Sequence, residues 1–296
     1  MKKNKIAITT GDPLGIGEEV TYKALNILKP EKDDVIIIGK DLGLGYETIE
    51  VDSTDIGKYC YDCLKIASNL AISNEIQGIV TSPVSKEALN KSGYHYSGQT
   101  EVLESFLAEN KDDKAEMVFI SNDLRVMLLT RHLPLSQIKI SKEMIVQKVL
   151  RLNKFLKEKC KIKYPKIALC ALNPHAGEHG ILGTEEIDTI IPAVKELNNE
   201  GVFTYGPYSA DGLFAKVGKK FQIKEQQEYD AIVAMYHDQG LCPVKALCAN
   251  SAVNTTIGLR VVRTSPPYGT AYDIKGKNIA NPDGMVYAIR LLLKLI

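Results

Sequence analysis

The chain has no tryptophan and few aromatic residues (7%), and neither sign of charge dominates: 37 basic against 36 acidic side chains leave a formal net charge of +1. A near-neutral chain has no long-range field to draw it to nucleic acid or anionic lipid, so any cationic character must be local to a site. Long apolar runs are also missing. None approaches the roughly 18 residues of a membrane-spanning helix. The run after the N-terminal lysines, Lys5-Ile6-Ala7-Ile8-Thr9, is too short for the apolar part of a secretory signal. A soluble cytoplasmic protein is expected, without nucleic-acid or membrane partners. The glycine-rich turn after this first strand, Gly11-Asp12-Pro13-Leu14-Gly15-Ile16-Gly17, is not G-x-G-x-x-G, and no Gly-Lys-Ser/Thr follows it. It therefore lacks both the dinucleotide fingerprint and the P-loop. Its backbone N–H groups can cradle an anion, or it can simply be a tight turn leading into a helix.

Six cysteines are present, Cys60, Cys63, Cys160, Cys170, Cys242 and Cys248. A chain of 296 residues buries enough apolar surface to need no disulfide staples. Cys60 and Cys63 form one C-x-x-C with no second pair to answer it, inside a helical pattern that puts both on one face. They read as small buried apolar residues rather than as a redox or zinc pair. Cys242 is expected to be a packing residue as well.

Composition is otherwise ordinary for a globular protein, 45% hydrophobic and 25% charged. Short apolar runs at 5–9, 35–39, 78–82, 116–121, 125–130, 166–173 and 229–236 read as buried strands. Amphipathic runs near 17–29, 54–75, 141–160 and 184–200 read as helices, the last two with Ser141 and Thr184 as caps. Such alternation argues an α/β fold with a largely parallel sheet. Open sheets of this kind carry their sites at strand ends, and the chemistry-bearing residues lie there.

Three of the five histidines follow strand-like runs: His132 in Thr130-Arg131-His132-Leu133-Pro134, His175 in Asn173-Pro174-His175-Ala176-Gly177-Glu178, and His237 in Tyr236-His237-Asp238-Gln239-Gly240. Three imidazoles at one rim would ligate a divalent metal and leave a position for substrate. The spacing fits equally well three histidines that each hydrogen-bond their own loop. His95 and His179 read as surface residues or as partners behind a ligand. Arg131, Lys245, Asn254 and Arg263 are the set a phosphorylated, carboxylated substrate would need for its charges. The stretch 266–285 carries more turn chemistry than a plain connector requires, and long ordered loops are usually functional.

Taken in order, GDPxGIG, TSPVxK, GxTE, HLPL, NPHAGE with GTEEIDTI, ADGLF, MYHDQG and NTTxGLxxxRTSPxxGTAxDI resemble the 4-hydroxythreonine-4-phosphate dehydrogenase family of vitamin B6 synthesis, over nearly the whole chain. The resemblance implies an α/β fold of the isocitrate/isopropylmalate dehydrogenase type, with two lobes, the active site in the cleft between them, and a homodimer. Residues 1–95 with 265–296 would form the cofactor-side lobe, and 96–264 the lobe for metal, substrate and dimerisation. It implies His132, His175 and His237 as ligands of one divalent metal (Zn, Mg, Co or Mn) in a site shared between subunits. Gln99, Thr100, Lys245, Asn254 and Arg263 would contact substrate. Lys245 would pair an anion or relay a proton, while Asp211 and Asp238 would orient the ligand imidazoles.

The loop with Gly269, Thr270, Ala271, Asp273, Ile274 and Asn281 is similar to the NAD-holding loop of isopropylmalate dehydrogenases. Asp273 beside a ribose would favour NAD over NADP, the alternative, by repelling a 2′-phosphate. The chain departs from the family at Gln99 and at Tyr268, where histidines are usual. Gln99 keeps in view the branch that acts on D-threonate or D-erythronate 4-phosphate, giving dihydroxyacetone phosphate. A phosphate acyltransferase-like protein of similar build is the more distant alternative. The ligand reading predicts that His175→Ala abolishes turnover while the thermal melting midpoint stays near that of wild type; a variant that keeps most of its activity with metal chelated overturns it.

Overall fold

In the computed structural model, residues 5–111, 113–249 and 251–296 are described. The chain divides into two compact units, Met1–Ala115 with Asn250–Ile296, and Glu116–Ala249. The boundaries thus fall at 115 and 250, not at 95 and 265 as expected from sequence. The segments 96–115 and 250–264 belong with the first unit, because their strands and helix pair and pack there.

The first unit begins with β1 (Ile6–Thr9), α1 (Gly17–Leu28), β2 (Val35–Gly39), β3 (Glu47–Glu50), α2 (Ile56–Ile72), β4 (Gly78–Thr81), α3 (Lys86–Lys91) and α4 (Gln99–Leu107). The second unit holds β5 (Glu116–Ser121), β6 (Leu124–Leu128), α5 (Lys142–Glu158), β7 (Lys166–Cys170), α6 (Ile191–Asn199), β8 (Phe203–Tyr208), α7 (Ala210–Gln222), β9 (Ala231–Ala234) and α8 (His237–Cys248). The chain then returns to the first unit with β10 (Val253–Ile257), β11 (Val262–Ser265) and α9 (Asp283–Leu295). No helix among the described residues is long and apolar enough to cross a membrane.

In the first unit the strands run β3-β2-β1-β4-β11-β10. All are parallel except β10, which pairs antiparallel with β11. β1, β2 and β4 are buried along their whole length, as parallel strands covered on both faces must be. α2 is capped by Asp55, which accepts from Lys58 N, and it buries Cys60, Cys63, Leu64, Ala67 and Ala71 against Ala7, Ile36 and Ile38. Burial pushes the Cys60 thiol up, and the Cys63 thiol to about 12, so neither is a reactive thiolate near neutral pH.

In the second unit the order is β5-β6-β9-β7-β8. β5 and β6 form an antiparallel hairpin, and β6, β9, β7 and β8 run parallel to their neighbours. α5 is capped by Ser141, whose side chain accepts from Met144 N. It is tied to the sheet by Glu116 of β5, a carboxylate 1% exposed that takes Lys148 Nζ at 2.7 Å and Arg151 Nη2 at 2.8 Å. A buried carboxylate needs such pairing to offset its desolvation. Two expectations are corrected here. Thr184 does not cap the helix that follows it; the helix opens at Glu186–Ile190 as a π-turn without a side-chain cap, and continues as α6. Cys242 is exposed on α8 and is not a packing residue.

Candidate active site

Parallel strands end on a common edge, so the second unit gathers the loops after β6, β9, β7 and β8 at one rim. His132 and His175 lie in the segments after β6 and β7, and His237 and Asp211 in the first turns of α8 and α7, which follow β9 and β8. The loops are laced together by hydrogen bonds to backbone carbonyls. Leu129 N donates to Ala234 O at 2.8 Å, Thr130 Oγ1 to Met235 O at 2.7 Å, and Ala171 N to Tyr208 O at 2.7 Å. Gln239 braces two of them. Its Oε1 accepts from Met235 N at 2.7 Å and its Nε2 donates to Ala171 O at 2.8 Å, joining the loop of His237 to the root of the loop of His175. α8 lies close on the sheet because Gly240 has no side chain; a Cβ there would stand 2.6 Å from Leu128 Cδ2 and 3.0 Å from Ala234 Cβ. That close approach puts His237, the first residue of α8, at the rim.

The His132 and His237 rings lie 5.6 Å apart, centre to centre. Two imidazoles on one ion, with metal–nitrogen distances near 2.0–2.1 Å, place their ring centres roughly 5 Å apart. His237 Nδ1 is 2.7 Å from Asp238 Oδ1, which leaves its Nε2 as the outward nitrogen. His175 lies on a different kind of support. Residues His175 to His179 form a left-handed turn, with φ of 51°, 55°, 77°, 42° and 56°. Each non-glycine residue so held costs about 1–2 kcal/mol. Beside it, Asp211 takes a hydrogen bond from Ser209 Oγ. That bond first, then the Gly212 amide, with His175 adding, holds its carboxyl below the usual carboxylate range. Among the described residues no group of three His, Cys, Asp or Glu side chains is arranged to hold a metal. One chain therefore brings His132 and His237 together without completing a trio with His175. Lys245 is exposed in the last turn of α8. His95 and His179 are exposed, His95 beside Asn90 Oδ1 at 3.2 Å.

The first unit carries the anion-holding and cofactor-loop residues. Arg263 of β11 is 4% exposed, and its guanidinium donates to Thr81 Oγ1 (2.9 and 2.6 Å) and Thr256 Oγ1 (3.4 Å). Burial pushes it down to about 10, with the Glu101 carboxylate opposing, so it stays charged at neutral pH. Gln99 and Thr100 open α4, and Gln99 Nε2 donates to Ser82 O at 3.1 Å at the end of β4. Gln99 Oε1 and Asn254 Oδ1 are buried without a hydrogen-bond partner among the described residues.

The glycine-rich turn after β1 spends its N–H groups internally. Leu14 N goes to Asp12 Oδ1, Gly15 N to Asp12 O, and Ile16 N to Thr270 O. It is a strap for the 269–281 loop. Asp12, fully buried, accepts from Tyr272 OH at 2.6 Å. Lys23 donates to Asn278 O and Ala280 O, and Glu19 accepts from Ala280 N. None of these fasteners was visible in sequence beyond the glycines, since each pairs residues hundreds of positions apart. Within this unit a hollow of about 700 Å³ opens beside the strapped loop, lined by Leu14, Asp55, Ser85, Glu87, Lys91 and Tyr272 among others. Gly269, Asp273 and Asn281 are exposed, and Thr270, Ala271 and Ile274 half-buried, along the same loop.

The fold is the α/β fold of the isocitrate/isopropylmalate dehydrogenase type, here with strand-end imidazoles, a buried arginine whose hydrogen-bond partners among the described residues are threonine hydroxyls, and a loop strapped to the first βα turn. The chain is a member of the family described as pyridoxal phosphate biosynthetic protein PdxA, whose model matches residues 9–292. It is 37% identical to a 4-hydroxythreonine-4-phosphate dehydrogenase of Sulfurihydrogenibium sp., over 98% of each chain. It is 35% identical to a protein of Oceanobacillus iheyensis named for D-threonate 4-phosphate dehydrogenase, over 99% of this chain and 98% of that one. The crystal structure of 4-hydroxythreonine-4-phosphate dehydrogenase from Klebsiella pneumoniae superposes with a TM-score of 0.86 at 30% identity, covering 99% of this chain and 98% of that one. At the level of fold alone, a β-decarboxylating dehydrogenase of Thermococcus kodakarensis (TM-score 0.60, 17% identity) and a branched-chain phosphotransacylase of Enterococcus faecalis (0.60, 15%) are also similar.

Gln239→Ala removes both partners of the strut and leaves the buried Met235 N–H and Ala171 carbonyl unmatched. A loss of about 2–4 kcal/mol of unfolding free energy is expected from the cost of unsatisfied buried groups. A urea melt reads it, and a midpoint unchanged from wild type would show that water replaces the strut.

Proposed function

We propose that the chain oxidises the C3 hydroxyl of 4-hydroxythreonine 4-phosphate with NAD as hydride acceptor, and that the 3-keto acid so formed loses carbon dioxide to give 3-amino-2-oxopropyl phosphate. The observation that carries the reading is the pair of imidazoles at ligand-like separation, His132 and His237, with Asp238 behind the second. These two fit a divalent metal, and His175 at the same rim is the third donor of the set. A bound metal would act as a Lewis acid on the substrate oxygens, easing loss of the hydroxyl proton and steadying charge as the carboxylate leaves.

The chain's own groups do the rest. Asp238 fixes the His237 tautomer, while Asp211, held by Ser209 Oγ and the Gly212 amide, sets a negative charge near His175. Arg263 pairs a substrate anion, the one kind of partner its hydroxyl neighbours do not supply. Lys245 either shares that task or returns a proton to the carbon left by decarboxylation.

Large apolar side chains follow two of the imidazoles, Leu133 and Leu135 after His132, and Ile181 and Leu182 after His175. Leu135 is 70% exposed and Ile181 79%. Together with a trio left incomplete in one chain, this favours a homodimer whose second copy covers these residues and completes the metal site. The residues present also fit NAD. The loop is preorganised by its strap, Asp273 is open for a ribose diol, and the adjoining hollow suits a base or ribose better than a pyrophosphate, which Asp55 and Glu87 would repel. A reducing cytoplasm suits the free thiols.

A second reading, D-threonate or D-erythronate 4-phosphate as substrate, is favoured by Gln99. Its amide carries no charge, and its buried Oε1 awaits a donor that a substrate hydroxyl supplies as well as an amine does. A phosphate acyltransferase shares only the fold, and coenzyme A binding without NADH formation would mark it.

NADH absorbance with divalent metal and NAD, run in parallel on the two phosphorylated acids, tests the proposal. Turnover of 4-hydroxythreonine 4-phosphate is expected. Turnover of D-threonate 4-phosphate alone transfers the chain to the second reading, and silence on both rejects each. Tyr272→Phe loses the hydrogen bond to Asp12 and loosens the loop. KM for NAD should rise about 3- to 10-fold with kcat nearly constant, as for one partly exposed hydrogen bond to a carboxylate. An unchanged KM would remove Tyr272 from the cofactor seat.

A further inference from the structure

The left-handed turn from His175 to His179 is a conformation that its side chains disfavour. His175, Ala176, Glu178 and His179 all sit at positive φ, and only Gly177 is at ease there. A strained segment persists only when its surroundings over-determine it. The surroundings converge on one side chain. Glu186 is 2% exposed and lies in the π-turn that precedes α6. Its Oε1 accepts from Leu172 N and from Asn173 N, both at 2.8 Å, and its Oε2 accepts from Asn173 Nδ2 at 3.0 Å. Asn173 Nδ2 also donates to Glu185 Oε2 at 2.7 Å.

An acid in the first turn of a helix usually serves the helix dipole. Both oxygens of Glu186 instead take donors from outside that helix, on Leu172 and Asn173, two of the three residues between β7 and Pro174. The space is matched to the carboxylate: a Cβ at Gly177 would stand 2.6 Å from Glu186 Oε2, and one at Gly183 would stand 2.5 Å from Asn173 Nδ2. The turn then closes on itself through Leu182 N to Gly177 O at 3.1 Å. The π-turn has its own place in this, because single π-turns gather at functional sites.

We infer that Glu186 is the positioning residue for His175: its buried carboxylate, by holding the Leu172 and Asn173 amides, keeps the left-handed turn wound and the imidazole aimed at the metal. The inference rests on the metal reading above. Glu186 touches neither substrate nor metal; it acts through the backbone that carries the ligand. A glutamine at 186 keeps the shape, but turns a donor toward Asn173 Nδ2 and halves the acceptor capacity.

The test is titration of the metal-free full-length protein with cobalt(II), followed by its visible absorption bands, on wild type and Glu186→Gln, each below its own melting temperature. The expected result is cobalt affinity lower by about 10- to 100-fold, the usual effect of removing the support behind a ligand. Hydrogen exchange at the Leu172 and Asn173 amides should be faster in the variant, a change that needs no metal. Affinity within twofold of wild type overturns the positioning role and leaves the metal site standing. Wild type that shows no histidine-type cobalt spectrum overturns both. Should Glu186→Gln fail to fold, Asn173→Ala carries the test, because it removes one donor and keeps the carboxylate and both backbone bonds. It should weaken cobalt binding about 3- to 10-fold, and an unchanged affinity there is equally fatal.

Discussion

Parallel pairing of β6, β9, β7 and β8 is the constraint on which the rest of the site depends. A parallel ladder sends every strand out of the sheet at the same edge, so residues far apart in the chain arrive together without any attraction between them. What the ladder does not do is aim them. Aiming is done by short bonds just beyond the strand ends: Thr130 on Met235, Gln239 between Met235 and Ala171, and Asp238 on His237. The first unit repeats the plan, with Asp12 at the end of β1 and Ser82 at the end of β4 receiving Tyr272 and Gln99.

Four buried charges show how differently this protein settles the cost of desolvation. Glu116 has two cations, and Glu186 has three N–H donors and, among the described residues, no cation. Asp12 has a backbone amide and a phenol. Among the described residues Arg263 has only threonine hydroxyls at hydrogen-bond distance, with the Glu101 carboxylate also acting on it. The first three are complete as they stand and hold backbone or helices in place. The fourth has no ion-pair partner at hydrogen-bond distance among the described residues, and on the proposed function it is the one that would receive an anion.

Much of the fold was legible. Runs such as Val35–Gly39 and Gly78–Thr81 are strands because continuous β-branched and aliphatic residues suit a sheet covered on both faces. α2 and α5 announce themselves by period and, for α5, by its Ser141 cap. β3, β8, β10, β11, α3, α4 and α7 to α9 were not recognised: β10 and β11 lie in polar, threonine-rich sequence, α3 is short, and Pro243 interrupts α8. The placing of His132, His175 and His237 at strand ends could be read, since each follows an apolar run. That Glu186, Gln239 and Tyr272 hold the loops could not, because a hydrogen-bond partner has no periodicity.

By itself the sequence determined the residue chemistry and its order: which stretches are strands, that imidazoles and glycine-rich turns follow them, and to which family that order belongs. Local side-chain pattern suffices for these, because propensity and burial act over a few residues. Only the tertiary structure decided that His132 and His237 are the imidazoles that meet, that the turn after β1 straps a loop instead of offering its amides to an anion, and that His175 rides on a strained turn held by a buried acid. Those outcomes depend on which strands become neighbours, and strand order is settled by packing over the whole unit, not by any segment of it.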